Sequence, residues 1–312
     1  MLRRLRFLWL SALLCLAGGL AHAQAKVVIV ASDSSATYVQ AAEVLTLELR
    51  RKGVEDADIR RMDLSEWGTG AEHVSASGIY VALGTAATQA MALNSMSAPV
   101  LAILIPRASF DRVLRASGRK ASADFTAIYL DQPLQRQLTM IRLALPQAKR
   151  MGVLWGPDSR YKAPLLHSLA AANGFLLNEA GLAGELDVYT DLKQVLGDSD
   201  LFLALADPQV FNTSSIQNIL LTTIRAQVPV VAFSPAYVRA GALLALYATP
   251  EQVARQSATL VWAVLHGRPL PHGTMETDDF EVGVNANVAR VLNLTLDGNA
   301  IRSALRRVEK LP

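Results

Sequence analysis

Residues 125–155 read FTAIYLDQPLQRQLTMIRLALPQAKRMGVLW, and their pattern decides the fold. The run 125–130 is a short buried strand, 133–145 is helical, and 150–155 is a second apolar strand. The same alternation continues in both directions. Short β-branched runs recur at 26–31, 78–83, 99–105, 201–206, 228–233 and 242–247, with helical stretches at 36–52, 85–93, 164–173, 213–225 and 250–266. Continuous apolar strands separated by amphipathic helices predict parallel sheets covered on both faces. The fold class is therefore α/β. One sheet of so many strands would be large for 312 residues, so two Rossmann-like lobes are expected. The best boundary in composition is the polar stretch 116–124. Gly267-Arg-Pro-Leu-Pro271 ends the longest helix, as a glycine followed by prolines should. No solenoid-length repeat and no low-complexity segment interrupts the pattern.

Residues 1–23 read as an export leader. Arg3, Arg4 and Arg6 precede an apolar run from Phe7 to Leu16, and Ala21-His22-Ala23 supplies small residues for cleavage before Gln24. The run is shorter than the ~20 residues of a spanning helix. Leu14 before Cys15 disfavours a lipid anchor, because a small residue is wanted there. Cleavage removes three of the 30 basic residues and none of the 27 acidic ones, leaving 27 of each sign. A balanced charge gives no footprint for nucleic acid or an anionic membrane surface. It also removes the single cysteine, so no disulfide or thiolate metal site is expected. No later apolar stretch is long enough to span a bilayer. The expected location is the periplasm.

Enzyme signatures are absent. No G-x-G-x-x-G follows a strand, and the phosphate-loop, nucleophile-elbow and H-E-x-x-H patterns are all missing. The four histidines outside the leader are His73, His167, His266 and His272, and a helix end plus a loop explains the last two better than a metal does. The expectation is no enzyme, no cofactor and no metal.

Ligands of open parallel sheets bind beyond the carboxyl ends of the strands. Five such loops stand out. Ser32-Asp33-Ser34-Ser35 either caps the next helix or meets a ligand. Gly84-Thr85-Ala86-Ala87 is a slim strand-to-helix turn whose amides suit an anionic group. Trp155 to Tyr161 is rich in aromatic, charged and hydroxyl groups. Asp207 to Thr213 offers a carboxylate between an apolar strand and a proline, fit for a ligand amine or for an Asx turn. Phe233 to Tyr237 closes the set. Each aromatic alone reads as packing, but together they suggest a cleft. The expected ligand-binding residues are Ser34, Ser35 and Thr85 from the first lobe, facing Trp155, Tyr161, Asp207, Phe211 and Ser234 from the second.

The segments 133–155, 228–233 (VPVVAF), 241–247 (GALLALY), 252–256 (QVARQ), 265–269 (LHGRP) and Val284-Asn285 with Ala289-Arg-Val-Leu292 resemble, in order and spacing, the ABC-transporter substrate-binding family with the type I periplasmic-binding fold. The better-known members bind aromatic amino acids. The resemblance implies two lobes joined by three crossovers, near 128–131, 245–249 and 279–282, with a small-molecule ligand held between them. It implies an N-terminal lobe of 24–127 to which 248–278 returns, and a C-terminal lobe of 128–247 to which 279–312 returns. Ile105-Pro106 stands where the family commonly has Asp-Pro, and Ser234 where many members place an aspartate. The implied function is solute capture for an importer with an inner-membrane permease. A sensory or partner-binding module without an importer is the alternative.

Overall fold

The computed structural model describes residues 25–68, 74–181 and 187–310. The expected leader with Cys15, the expected new terminus Gln24, and His73 lie outside the described residues. Two sheets organise the rest. The first has strand order β2-β1-β3-β4-β5, built from β1 (Ala25–Ala31), β2 (Ile59–Asp63), β3 (Val74–Leu83), β4 (Val100–Ile105) and β5 (Phe125–Tyr129). All its pairs are parallel, with β1 against β3 in register from Val27 opposite Ile79 to Ala31 opposite Leu83. The second has order β11-β10-β9-β8-β6-β7. Its members are β6 (Arg150–Leu154), β7 (Leu176–Ala180), β8 (Leu201–Leu203), β9 (Val230–Ala232), β10 (Leu244–Tyr247) and β11 (Glu281–Val284). Only the β10–β11 pair is antiparallel. Apart from β11, each sheet has the doubly wound order 2-1-3-4-5.

Burial explains which runs became strands. Every residue of β4 and β5 is buried, because helices cover both faces of the sheet. The stretch 125–155 turns out to be the passage between the lobes. Phe125 and Ala127 pack in the first lobe, whereas Leu134, Leu138, Ile141 and Ala144 line one face of the helix Leu134–Ala144 in the core of the second. Each fully buried leucine there contributes about 1.5–3 kcal/mol.

The chain passes between the sheets three times, after β5, after β10 and before β11. After β10, the helix Pro250–Leu265 lies on the first sheet, with Val253, Ala254, Ala258 and Val261 fully buried beside Leu45 and Leu49. Side chains tie the passages together. Gln132 donates to the Thr277 hydroxyl at 2.6 Å, and Arg136 donates to Gln132 and to the Thr277 carbonyl, both at 2.9 Å. Gln252 donates to Glu281 at 2.8 Å, and Arg302 pairs with the same carboxylate at 3.0 Å. The joint between the lobes is thus a hydrogen-bonded ribbon. Among the described residues, no helix is long and apolar enough to cross a membrane.

Candidate functional site

Both sheets turn the carboxyl ends of their strands toward one cavity of about 500 Å³. That is an ordinary size for a small-molecule site. The first lobe contributes Asp33, Ser35 and Tyr38 after β1, Leu104 and Pro106 at the end of β4, and Leu130 and Asp131 after β5. The second contributes Ala206 after β8, Phe233 and Ser234 after β9, and Tyr247 and Ala248 at the end of β10.

Local chemistry sets each loop. The Asp33 carboxylate accepts the Ser35 amide at 2.8 Å, an Asx turn that launches the helix Ala36–Arg51. Ser32 donates to the Leu83 carbonyl at 2.7 Å and accepts the Ala87 amide at 3.0 Å. It therefore caps the helix Thr85–Leu93 from a neighbouring strand. Tyr38 stands over Gly84, and its burial, followed by the Asp33 carboxylate, raises its phenol above the ordinary value. The phenol is a protonated donor at neutral pH. Leu104 has φ +54° at a bulge in β4, a left-handed backbone costing roughly 1–2 kcal/mol for a residue with a Cβ. Its side chain is buried and forms part of the cavity wall. Bulges recur beside functional sites for this reason, since they re-aim one side chain.

Asp131 is the polar junction of the lobes. It accepts the Arg107 amide at 2.7 Å and holds the Lys162 ammonium at 2.6 Å, joining a first-lobe helix start to a second-lobe lysine. Arg112 and Asp158 form a second ion pair across the same gap. Among the described residues, no three His, Cys, Asp or Glu side chains gather as a metal site.

Of the eight residues expected to bind ligand, the structure brings Ser35 and Ser234 to the cavity wall. Ser34 is exposed in the same loop but does not line the cavity. Thr85 does not reach it, because the turn it belongs to is covered by Tyr38 and its best amide is taken by Ser32. Tyr161 lies at the lobe boundary under the Arg107 guanidinium, 5.3 Å from ring centre to charge, and outside the cavity wall. Three expectations are corrected. Trp155 is fully buried in the second-lobe core and donates its indole N–H to Glu179 at 2.8 Å. Asp207 is buried and accepts the Asp158 amide and the Ser159 hydroxyl, both at 2.9 Å, and the Gln209 amide at 3.0 Å, so it closes turns. Phe211 is one layer behind the cavity, packed edge-on against Phe233 at 6.0 Å and holding the Tyr237 hydroxyl on its carbonyl. Sequence reasoning named the loops that hold Asp33 and Phe233 without choosing those two residues, and it missed Tyr38, Leu104, Asp131 and Tyr247. Phe233 and Tyr247 were visible as aromatic ends of apolar runs.

Gly84 makes this corner testable. At φ +87° a side chain is strained, and its Cβ would overlap the Tyr38 phenol. Gly84→Ala is expected to lose about 2–3 kcal/mol, left-handed strain plus overlap, read as a lower urea midpoint. Tyr38→Phe added to it should recover part of the loss, and a purely additive double variant would contradict the contact.

A family model described as "ABC transporter substrate binding protein" matches residues 73–308. No curated protein matches the sequence. Among solved structures, the chain is similar to the ligand-free, open form of a substrate-binding protein with adhesive properties from Clostridium difficile (TM-score 0.68, 19% identity, 88% of this chain and 97% of that one). It is also similar to a conserved domain protein from Vibrio cholerae (TM-score 0.60, 20% identity, 90% and 98%). A third is an ABC domain from Streptococcus pneumonia in complex with L-Trp (TM-score 0.60, 16% identity, 89% and 98%). At these identities the likeness is one of fold.

Proposed function

The chain belongs to the ABC transporter substrate binding protein family, a family of binding proteins rather than enzymes, and from that premise we propose that it is the periplasmic solute-binding component of an importer. One small molecule is captured between the lobes and presented to an inner-membrane permease. The lobes that close on it are 24–127 with 248–278, and 128–247 with 279–312. The observation that carries this reading is the 500 Å³ cavity, walled by strand-end loops of both sheets. Ser35 of the first lobe and Ser234 of the second are its hydroxyl contacts, while Leu104 and Phe233 supply apolar wall. The leader pattern of residues 1–23 supports export with cleavage before Gln24.

The test has two parts. Native purification followed by mass spectrometry identifies what occupies the cleft, and thermal unfolding screens amino acids, nucleosides and small organic acids. A true ligand at a hundred times its dissociation constant stabilises the folded state by about 2.7 kcal/mol, a melting shift of several degrees. Phe233→Ala is expected to reduce that shift at unchanged ligand concentration. A chain that carries no small molecule and responds to none of the panel overturns the reading.

A further inference from the structure

Charge around the cavity is one-sided. Among the described residues, no arginine, lysine or histidine lines it, whereas Asp33 and Asp131 both do. Of the nearby cations, the Lys162 ammonium is on Asp131, the Arg107 guanidinium lies over Tyr129 and Tyr161, and Arg239 acts on Tyr247 from an exposed position off the cavity wall. Asp131 is thereby neutralised. Asp33 is different. Its hydrogen bond is to the Ser35 amide of its own turn, and among the described residues no cationic side chain pairs with it.

The helix starts that border the cavity offer little to an anion. Pro235 and Pro250 begin two of the helices bordering the cavity and carry no N–H. Thr249 and Gln252 satisfy each other's amides in a capping box at the second of these. The Arg107 amide, at a third helix start, is on Asp131. The start of Ala36–Arg51 is fronted by the Asp33 carboxylate, which repels an anion placed there. Tyr38, Phe233 and Tyr247 line the same space, and aromatic faces attract an organic cation.

We propose that the cavity selects an aromatic amine that lacks a carboxylate, its ammonium on Asp33 and its ring against Phe233, Leu104 and Tyr247. This rests on the reading of the cleft as a solute site. A molecule with a free carboxylate loses, because that group meets Asp33 and no cation on the cavity wall, and a charge left unpaired on transfer from water is costly. The volume suits one ring with a short amine tail rather than a peptide.

Matched pairs test it. Titration calorimetry on the full exported chain with tyramine against tyrosine, and tryptamine against tryptophan, isolates the carboxylate. The amines are expected to bind at least about tenfold tighter than their parent amino acids, the low end of the cost of a carboxylate brought in without a partner. Asp33→Asn keeps an oxygen for the Ser35 amide and so keeps the turn. It should weaken amine binding about ten- to a hundredfold and abolish the preference over the amino acids. Parent amino acids that bind as tightly as the amines, amine affinity unchanged in Asp33→Asn, or no binding of either amine would each overturn the proposal. If neither amine binds while a different co-purified molecule occupies the cleft, only the ligand class is wrong. If no small molecule binds at all, solute capture fails with it.

Discussion

Asp207→Ala is expected to cost the second lobe about 3 kcal/mol of stability, roughly 6–12 °C in melting temperature, while cleft affinity stays nearly unchanged. The carboxylate is the hub of two turns. One oxygen accepts both the Asp158 amide and the Ser159 hydroxyl, and the other accepts the Gln209 amide. Ser159 is itself fully buried and accepts the Gly156 amide at 2.9 Å, so truncating Asp207 leaves donors with no replacement from water. Gly156 packs so closely on this carboxylate that any Cβ there would overlap it. The removal also relieves the cost of keeping a carboxylate out of water, which is why the loss stays below the sum of three charged bonds. Asp207→Asn separates the parts. With its amide oxygen in the position that serves Asp158 and Ser159, only the Gln209 amide loses an acceptor, so about 1–2 kcal/mol should go. Urea titration read beside calorimetry decides the matter. A variant that unfolds like the parent but loses ligand affinity would return Asp207 to the binding site.

That residue shows where sequence reading stopped. An aspartate between an apolar strand and a proline fits a ligand contact and a turn equally well, and only the positions of Ser159 and Gln209 choose between them. The architecture was more legible. A central strand such as β4 is buried on both faces and so prints an unbroken apolar run, and β5, at the sheet edge, does so because the backbone at Met275 covers it. The edge strands β2 and β7 do not. In β2 only Met62 is buried, and in β7 none of the five residues is, so neither leaves a periodic signal. The rule that ligands meet strand ends found the loops at 32–35 and 233–237, both on the cavity wall. It had no means of ranking side chains within a loop. Leu104 reaches the cavity through a left-handed backbone that its apolar neighbours do not advertise. Tyr38 sits inside a helical stretch, one turn past the loop. Phe233 and Phe211 have the same chemistry, and one layer of packing decides that the first meets the cavity and the second does not.

The same distinction gives Trp155→Ala the largest expected loss, about 3–5 kcal/mol, the range for emptying a buried aromatic site. The indole has no exposed surface and lies in one core with Leu166, Leu203 and Leu205. The backbone there is pinned, since the Trp155 amide donates to the Ala180 carbonyl at 2.9 Å, so collapse into the void is resisted. A second term comes from the polar edge. The indole N–H is one of two partners of Glu179, the other being His167 at 2.9 Å. Trp155→Phe keeps most of the ring volume and removes that donor, and should cost about 1.5–3 kcal/mol: a smaller void plus one hydrogen bond to a charged acceptor. Chemical unfolding of the three proteins reads both terms. If Trp155→Ala unfolds within about 1 kcal/mol of the parent, the indole is not filling this core, because a surface truncation is all that cost would describe.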